Sequence, residues 1–369
     1  MSDDATASHS PVPRTHALIR QHVAPGALFK IVLVNLALTI LTLGIYRFWG
    51  KTRVRRYLWG HVELMGERLE YTGTGAELFK GALVIVFLLL LPLFVAVGMA
   101  DVMLIHASDE ARAAKEASQG LVIVFLIGVA MFRARRYRLT RTSWRGIYAN
   151  QTGSSLRYGL MVVASYVLAG LSVGLLWPAC AVWLKRYEMT HTWIGGQRPE
   201  FTPKLSKIYA PFLIAWVIGV VYFSAVGLGF SVALGITAVD VPDLHADTVD
   251  ELVLYILGFY LSLLPLSALF YWYRGRAYHH YVSSTRFMGH QATSAITGLG
   301  FAGLTIGNWL LATFTLGLAA PLVYRRYLRF VETRVGLVGE GNFDALLQNP
   351  IDKPTRGEGL ADAFDVGAI

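Results

Sequence analysis

Short stretches rich in arginine, lysine and aromatic residues, here called elbows, are the parts of the sequence best suited to bind a ligand. The first elbow reads "RFWGKTRVRRY" over residues 47–57. Guanidinium groups pair with phosphate and carboxylate oxygens, so the pattern predicts contacts to anionic lipid headgroups. The alternative is that these residues only set membrane topology, beside an interfacial aromatic belt. The candidates for headgroup or partner contact are Arg53, Arg55, Arg56, Arg133, Arg135, Arg136, Lys185, Arg186, Arg325, Arg326 and Arg329.

A second set of candidates consists of small polar residues and glycines inside apolar runs. Discontinuous helices in transporters use such residues to line a path for a solute, which is one interpretation. The other is that they cap broken helices and form hydrogen bonds between helices. The candidates for a helix break or path are Asn35, Thr42, Gly44, Gly174, Asn308, Thr315 and Gly317.

Other chemistries find little support in the sequence. The single cysteine, Cys180, excludes an intramolecular disulfide and a multi-cysteine metal site. The acidic stretch 240–251 follows no calcium-loop template, and the histidines lack the spacing of a zinc motif. Neither a phosphate-binding loop nor a nucleophile elbow occurs. We therefore expect no enzyme activity, no metal and no cofactor. Loop charge accounts for the net charge of +9, so nucleic acid is not expected as a partner.

The composition is that of a membrane protein. The chain is 54% hydrophobic and 15% charged, with a mean hydropathy of +0.48. Three uncharged runs, 81–100, 208–239 and 252–273, are long enough to cross a hydrocarbon core of about 30 Å, and 117–132 is near the lower limit. No ionisable residue lies at the centre of these spans, which disfavours a proton-coupled pump.

The elbow framework recurs in one register, with Gly44, Gly174 and Gly317 at equivalent positions. We therefore expect an internal threefold repeat. The copies cover about 28–72, 158–202 and 301–340. Two looser elbows begin at Arg133 and Arg274. Along the chain, the five elbows are separated by alternating long and short intervals.

This alternation predicts the topology. The elbows hold most of the lysine and arginine, so all five should face the cytoplasm. Each long interval holds a spanning pair, about 79–134 and 208–276, which returns the chain to the same side. Each short interval holds one apolar segment, which we expect to re-enter, bend at Gly and Pro residues and pack inside a bundle. Seven ordinary spans are the alternative.

After the elbows, alternating residues flank Gly66–Glu67 and Gly196–Gln197, and a two-residue connection with glycine first suits a tight turn. We therefore expect short cytoplasmic β-hairpins, which could pair with one another to cover their edges. The predicted domain boundaries are a disordered cytoplasmic tail over 1–26, a polytopic membrane domain over 27–339 and a cytoplasmic tail over 340–369. A short helix is expected at 343–347. The predicted fold class is thus an α-helical multi-pass membrane protein with a threefold repeat of re-entrant or broken helices, spanning helix pairs and short cytoplasmic β-hairpins.

The stretch "LTILTLGIYRFW", followed by "RVRRYLWGHVELMGERLEYTG", resembles the YjgN-like family of bacterial inner-membrane proteins, a domain of unknown function. The resemblance covers about residues 25–345, and the second copy departs from it with "SVGLLWP". It implies a multi-pass protein of the bacterial inner (plasma) membrane. It supplies no activity, substrate or catalytic residue.

Two functions remain open at this point. The first is a permeation or transport component for a small solute. The second is a non-transporting membrane module that binds anionic lipid or a cytoplasmic partner through the basic elbows. The protein partner and the oligomeric state are left undetermined by the sequence.

Overall fold

A computed structural model describes residues 16–233, 249–339 and 341–346. The described chain is mostly helical, with short strands between pairs of helices. The helices are α1 (Pro25–Leu41), α2 (Arg47–Gly60), α3 (Gly75–Ile85), α4 (Leu91–Met103), α5 (Asp109–Thr140), α6 (Ser155–Leu171), α7 (Trp177–Thr190), α8 (Leu205–Ala233), α9 (Val249–Ser283), α10 (Gly298–Phe314) and α11 (Ala320–Arg334). A π-helical turn, Val86–Leu90, joins α3 to α4.

The strands are β1 (His16–Ala17), β2 (Ile19–Gln21), β3 (Val62–Leu64), β4 (Glu67–Tyr71), β5 (Thr142–Trp144), β6 (Ile147–Gln151), β7 (Thr192–Ile194), β8 (Glu200–Phe201), β9 (Thr285–Phe287), β10 (His290–Ser294) and β11 (Val335–Val338). They form a six-stranded sheet, in the order β2-β3-β4-β5-β6-β7, and a five-stranded sheet, in the order β1-β11-β10-β9-β8. All of the pairings are antiparallel.

The helices form five helical hairpins, each of which leaves a strand and returns to a strand. They are α1/α2, α3–α4/α5, α6/α7, α8/α9 and α10/α11, numbered here one to five. Neighbouring hairpins pack in chain order through α2 and α3, α5 and α6, α7 and α8, and α9 and α10, and α11 packs against α1. The five helical hairpins therefore close into a ring.

Strand pairing places all five elbows on one side of the helices. Strand β7 pairs with β6, with Asn150 opposite Trp193, and β8 pairs with β9, with Glu200 opposite Arg286. The alternative of seven ordinary spans puts residues 185–207 on the opposite side from the other elbows. It does not fit this pairing.

The beginning of the described chain differs from the predicted disordered tail over 1–26. His16 lies opposite Leu337, Ile19 lies opposite Leu64, and α1 begins at Pro25. The physical reason is that β1 and β2 supply backbone hydrogen bonds to the edges of β11 and β3, which would otherwise be unpaired.

Tight turns occur at both predicted positions, one residue earlier than expected, but only the first is followed by a two-stranded ladder. Met65 and Gly66, between β3 and β4, have φ values of 53° and 88°, as a tight two-residue turn requires. Arg145–Gly146 and Met288–Gly289 make the same turn. At Gly195–Gly196 the chain also turns tightly, and Ile194 and Gln197 exchange backbone hydrogen bonds of 2.9 and 3.2 Å in an isolated antiparallel bridge. Beyond this bridge no ladder continues, because β7 and β8 pair with β6 and β9.

Among the residues that the structure describes, three helices are long and apolar enough to cross a bilayer: Gly75–Met103, Asp109–Thr140 and Leu205–Gly229. The first helix of each short hairpin, Pro25–Leu41, Ser155–Leu171 or Gly298–Phe314, has only 17 residues. At 1.5 Å per residue this is about 26 Å, which is less than a hydrocarbon core of about 30 Å. The acidic loop predicted at 240–251 lies largely outside the described residues.

Each short hairpin bends through the same turn. Leu43 and Gly44 have φ values of 49° and 93°, and the Gly44 N–H donates to the carbonyl of Thr39 at 2.7 Å. The Thr42 hydroxyl donates to the Leu38 carbonyl at 2.7 Å and accepts from the Tyr46 N–H at 2.9 Å. One hydroxyl thus satisfies the end of α1 and the start of α2. Ser172 and Thr315 make the equivalent two bonds.

The expectation that these bends pack inside a bundle is wrong. Leu43 and Leu316, at the tips, are 94% and 92% exposed. Their turns do not need burial because the local bonds already satisfy the backbone groups. The prolines do not make the bend either, since Pro178 and Pro321 lie in the first turn of the following helix, where no N–H is needed.

The tips of the short hairpins differ chemically from that of the second hairpin. Exposed apolar residues such as Leu171, Val173 and Phe314 surround the short bends. At the tip of the second hairpin, Ser108 caps α5 and Lys115 pairs with Asp101. The second tip also exposes apolar residues, so its charged groups distinguish it from the short tips.

Replacing Thr42 by valine should lower the free energy of unfolding by about 1–3 kcal/mol, because it leaves a carbonyl and an N–H without their shared partner. Thermal unfolding in detergent measures the change. Thr39→Val is the matched control, since the Thr39 hydroxyl donates to the Asn35 carbonyl within α1 and does not connect α1 to α2. Equal losses in the two variants would contradict the bridge.

Candidate functional site

Several of the predicted headgroup residues are engaged inside the protein. Arg55 is only 9% exposed, and its guanidinium lies over the Tyr71 ring at 5.9 Å. Arg56 donates to the Gly73 carbonyl at 3.2 Å, and Arg136 donates to that of Gly153. These arginines fasten the loop that leads from a strand into the next helix.

A second group of predicted residues forms an ion cluster between α5, α6 and α7. Glu188 accepts from Lys185 Nζ at 3.0 Å and from Tyr158 OH at 2.8 Å, and its Oε2 lies 3.8 Å from Arg135 Nη1. Nearby, Arg133 Nε donates to Ser155 Oγ at 3.3 Å. Burial alone raises the pKa of Glu188, but Lys185 and Arg135 outweigh it and hold that pKa below the ordinary value.

An equivalent cluster around Glu77 was missed by sequence reasoning. Both carboxylate oxygens of Glu77 accept from Arg141, at 3.1 Å each, and Tyr137 OH donates to Oε2 at 3.0 Å. The available signal was the spacing of Thr74 and Glu77, typical of a capping box. Thr74 does cap α3. A capping box, however, would turn the glutamate back to its own helix, whereas here Glu77 ties α3 to the end of α5.

The remaining basic candidates face outward. Arg53, Arg186, Arg326 and Arg329 are exposed. Arg325, Arg326 and Arg329 border one groove of about 310 Å³ on the fifth hairpin, whose other lining residues are Leu311 and Leu322. We call this the α10/α11 groove. Its three cations therefore stand over an apolar floor.

Charge in the α10/α11 groove is uncompensated in the described part of the chain. None of the carboxylates there forms an ion pair with Arg325, Arg326 or Arg329. Arg325 Nε is buried without a hydrogen-bond partner among the same residues. A buried, unpartnered donor on a guanidinium is costly, which favours an anion as its ligand.

A glycine on α10 makes room for one of these side chains. A Cβ atom built on Gly307 would lie 3.1 Å from Arg326 Nη2, so the guanidinium crosses directly over that position. The next residue, Asn308, has a buried Oδ1 with no partner among the described residues.

The predicted break and path residues are spread over three helical hairpins. Thr42, Gly44, Gly174, Thr315 and Gly317 lie at the tips of three different hairpins, where the tip leucines are exposed. Asn35 and Asn308 lie on the first helices of their hairpins, away from the bends.

Both the asparagines on the first helices and the turns at the tips make contacts that stabilise the fold. Asn35 Nδ2 donates to the Gly50 carbonyl at 3.1 Å and holds α1 against α2. In the third hairpin, the turn beside Gly174 packs against α8, since Trp216 Nε1 donates to the Val173 carbonyl at 3.0 Å.

Among residues 16–233, 249–339 and 341–346, no group of three or more His, Cys, Asp and Glu side chains is arranged to hold a metal ion. Cys180 is buried. Of the adjacent histidines, His280 accepts from the Lys204 N–H at 2.9 Å through Nε2.

Long apolar helices and basic elbows at one end of the helices define an integral, mainly helical membrane protein. The chain belongs to the family described as bacterial protein of unknown function (DUF898), whose family model matches residues 22–363. No solved structure gives a significant match.

Three relatives share the name "Inner membrane protein YjgN". The proteins of Escherichia coli O157:H7 and strain K12 are 46% and 44% identical to the chain over 59 residues, and that of Salmonella typhimurium is 40% identical over 60. Each match covers 16% of this chain and spans 15% of the relative's length. The name and the apolar helices support a place in the bacterial inner membrane.

The Glu188 cluster should make stability depend on pH. A carboxyl whose pKa is lowered on folding contributes stability above its ordinary value of 4.5, and that contribution is lost as the pH falls through the folded-state pKa. We expect Glu188→Gln to be about 2–3 kcal/mol less stable at pH 7, since two cations lose their partner, and to lose less stability below pH 5.

Thermal unfolding in detergent between pH 7 and pH 3 measures this dependence. Glu200→Gln is the control, because Glu200 is exposed on β8. If Glu188→Gln kept the acid-sensitivity of the unmodified protein, the cluster would not be its source.

Proposed function

We propose that this protein is a non-catalytic module of the bacterial inner membrane that binds the phosphate headgroup of anionic phospholipids. The observation that carries the proposal is the α10/α11 groove. In it, Arg325, Arg326 and Arg329 have no carboxylate partner in the described chain and stand beside Leu311 and Leu322.

The groove combines the two chemistries of a phospholipid. Guanidinium groups pair with phosphate oxygens through two parallel hydrogen bonds. The leucine floor would accept the start of an acyl chain, which a free phosphate ion lacks. A volume of about 310 Å³ is near the lower end for small-molecule pockets and suits a headgroup rather than a whole lipid.

The proposal includes a topology. The sheets and both termini face the cytoplasm, because the elbows there carry most of the basic residues. The second and fourth hairpins cross the membrane. The first, third and fifth hairpins are copies of one repeat and re-enter without crossing, in line with their 17-residue arms and apolar tips. The α10/α11 groove then meets the cytoplasmic leaflet, whose anionic lipids attract basic groups.

A second candidate function is permeation of a small solute along the axis of the ring. The observation that favours it is ring closure, since α11 packs against α1. The separated, exposed bends favour it less, because a path lined by Gly44, Gly174 and Gly317 would require them to meet.

Replacing Arg325, Arg326 or Arg329 by glutamine should weaken binding of phosphatidylglycerol about fivefold each, because a near-surface cation contributes about 1 kcal/mol. Native mass spectrometry of the protein released from nanodiscs of phosphatidylglycerol and phosphatidylcholine measures the lipid retained. The triple variant should retain phosphatidylglycerol no better than phosphatidylcholine.

Arg186→Gln is the matched control, since Arg186 is exposed and occupies the position equivalent to Arg329 in the second copy. A second variant, Leu311→Trp, fills the floor without changing charge and should also displace the lipid. Inorganic phosphate that protected the site equally well would argue against a phospholipid. Equal losses in Arg186→Gln and Arg326→Gln would contradict a groove-specific site.

The permeation candidate predicts that liposomes containing the protein release glycerol or sulfate faster than empty liposomes. Stopped-flow light scattering measures glycerol release, and a barium turbidity assay measures sulfate release. Release at the rate of empty liposomes for both solutes would remove this candidate and leave the lipid proposal in place.

A further inference from the structure

The segment 341–346 lies beyond the last strand and contacts both sheets. Phe343–Ala345 forms a single 3-10 turn, and the Asn342 Oδ1 accepts from the Asp344 N–H at 2.8 Å. The turn therefore has an internal cap and presents the side chains of Phe343 and Asp344 side by side.

Phe343 lies between the tight turns of two different sheets. Its ring stacks on His290 with a centroid distance of 4.4 Å and lies 6.2 Å from Phe287, both beside the β9–β10 turn. On its other side it meets Trp144 of β5 edge to face at 6.1 Å. Aromatic contacts of this geometry are attractive beyond the area they bury.

Asp344 adds a charged contact to the six-stranded sheet. Its Oδ1 lies 2.8 Å from Arg145 Nη1. Arg145 is itself oriented by the Trp144 ring at 5.5 Å and by Glu67 at 3.8 Å. The receiving arginine is thus held in place by the sheet to which it belongs.

The chain fits closely where it reaches the five-stranded sheet. A Cβ atom on Gly341 would lie 1.8 Å from the Met288 carbonyl oxygen and 2.6 Å from His290 Nδ1, so only glycine can pass there. Leu346, at the other end of the segment, is 4% exposed. The segment occupies a shaped cleft.

The cleft lies between turns that belong to the two different sheets. The β5–β6 turn belongs to the interior of the six-stranded sheet, and the β9–β10 turn belongs to the interior of the five-stranded sheet. Among the described strands, the two sheets share no ladder pairing. Their backbones meet where Ile194 and Gln197 form an isolated bridge at the β7–β8 connection. Segment 341–346 adds a separate link, made by side chains, between the β5–β6 and β9–β10 turns.

We propose that segment 341–346 is an intramolecular latch, whose cleft recognises an aromatic side chain followed by an acidic one. With the latch docked, the two sheets are tied across the ring through Phe343 and Asp344. With the latch released, the β5–β6 and β9–β10 turns move apart and expose Trp144, Phe287 and His290. This regulatory contact goes beyond lipid binding and does not depend on it.

The contacts suit a reversible latch. The Asp344 side chain is 75% exposed, so its ion pair with Arg145 competes with water and is screened by salt. The aromatic contacts of Phe343 are only partly buried. A competing peptide of the same pattern can therefore displace or replace the segment.

Distances between spin labels on the two sheets test the latch. The labels are attached to cysteines replacing Arg68 and Arg286, both exposed, in a Cys180→Ala background. Pulsed electron paramagnetic resonance on the full chain in nanodiscs should give one narrow distance distribution. We expect Phe343→Ala and Arg145→Gln to widen it at least twofold and shift it to longer distances.

The control variant is Ala345→Ser, which changes an exposed residue of the same turn and should leave the distribution unchanged. A synthetic peptide of residues 341–346 should narrow the distribution of Phe343→Ala again, whereas the same peptide with alanine in place of Phe343 should not. Identical distributions in all variants, or no response to the peptide, would overturn the proposal.

A separate measurement distinguishes an intramolecular latch from an exchange between two chains. Cysteines replacing Arg145 and Asp344, joined by a short bis-maleimide, should cross-link within one chain. A product of twice the mass would overturn the intramolecular assignment.

Discussion

Backbone groups at a bend must find partners, and apolar side chains around the bend offer none. This requirement governs the three short hairpins, each of which reverses direction at an apolar, exposed tip. The solution is a single Thr or Ser hydroxyl that donates to the end of one helix and accepts from the start of the next, assisted by a glycine N–H bond across the turn. Because the turn is satisfied locally, the hairpin needs no surrounding bundle. Its apolar side chains are then free to face outward.

The basic residues fall into two groups, according to whether they have hydrogen-bond or ion-pair partners within the described chain. Those at the junction of helix and sheet, such as Arg56 and Arg135, bind carbonyls and carboxylates of the protein and fix the angle between helix and strand. The three in the α10/α11 groove have no such partner in the described chain. Similar elbows in the sequence thus lie in two kinds of surroundings, and the contacts of each guanidinium distinguish them.

Much of the architecture could be predicted from the sequence, since spacing and composition are local signals. The long apolar helices, the recurring break at Gly44, Gly174 and Gly317, and the tight turn at Met65–Gly66 follow from patterns within one segment. The closing of the ring could not be predicted, because β1 carries only two paired residues and no periodicity. The ion pair of Glu77 could not be predicted either, because its partner Arg141 is distant in sequence. Nor could the burial of Arg55, which depends on Tyr71 in a neighbouring strand. Exposure of the bends was mispredicted because a hydroxyl can replace burial.

The pairing of His16 with Leu337 also constrains how the molecule is made. Each helical hairpin and the strand pairs β3–β4, β5–β6 and β9–β10 join segments close in sequence and can form while synthesis continues. The junction between β11 and β1, and with it the contact of α11 with α1, joins the two ends of the described chain. The loop that it closes is the longest in the protein, so its entropic cost is met last. Until then β1 lacks the partner that it has in the closed ring, so any factor that covers β1 during synthesis protects the edge that later pairs with β11.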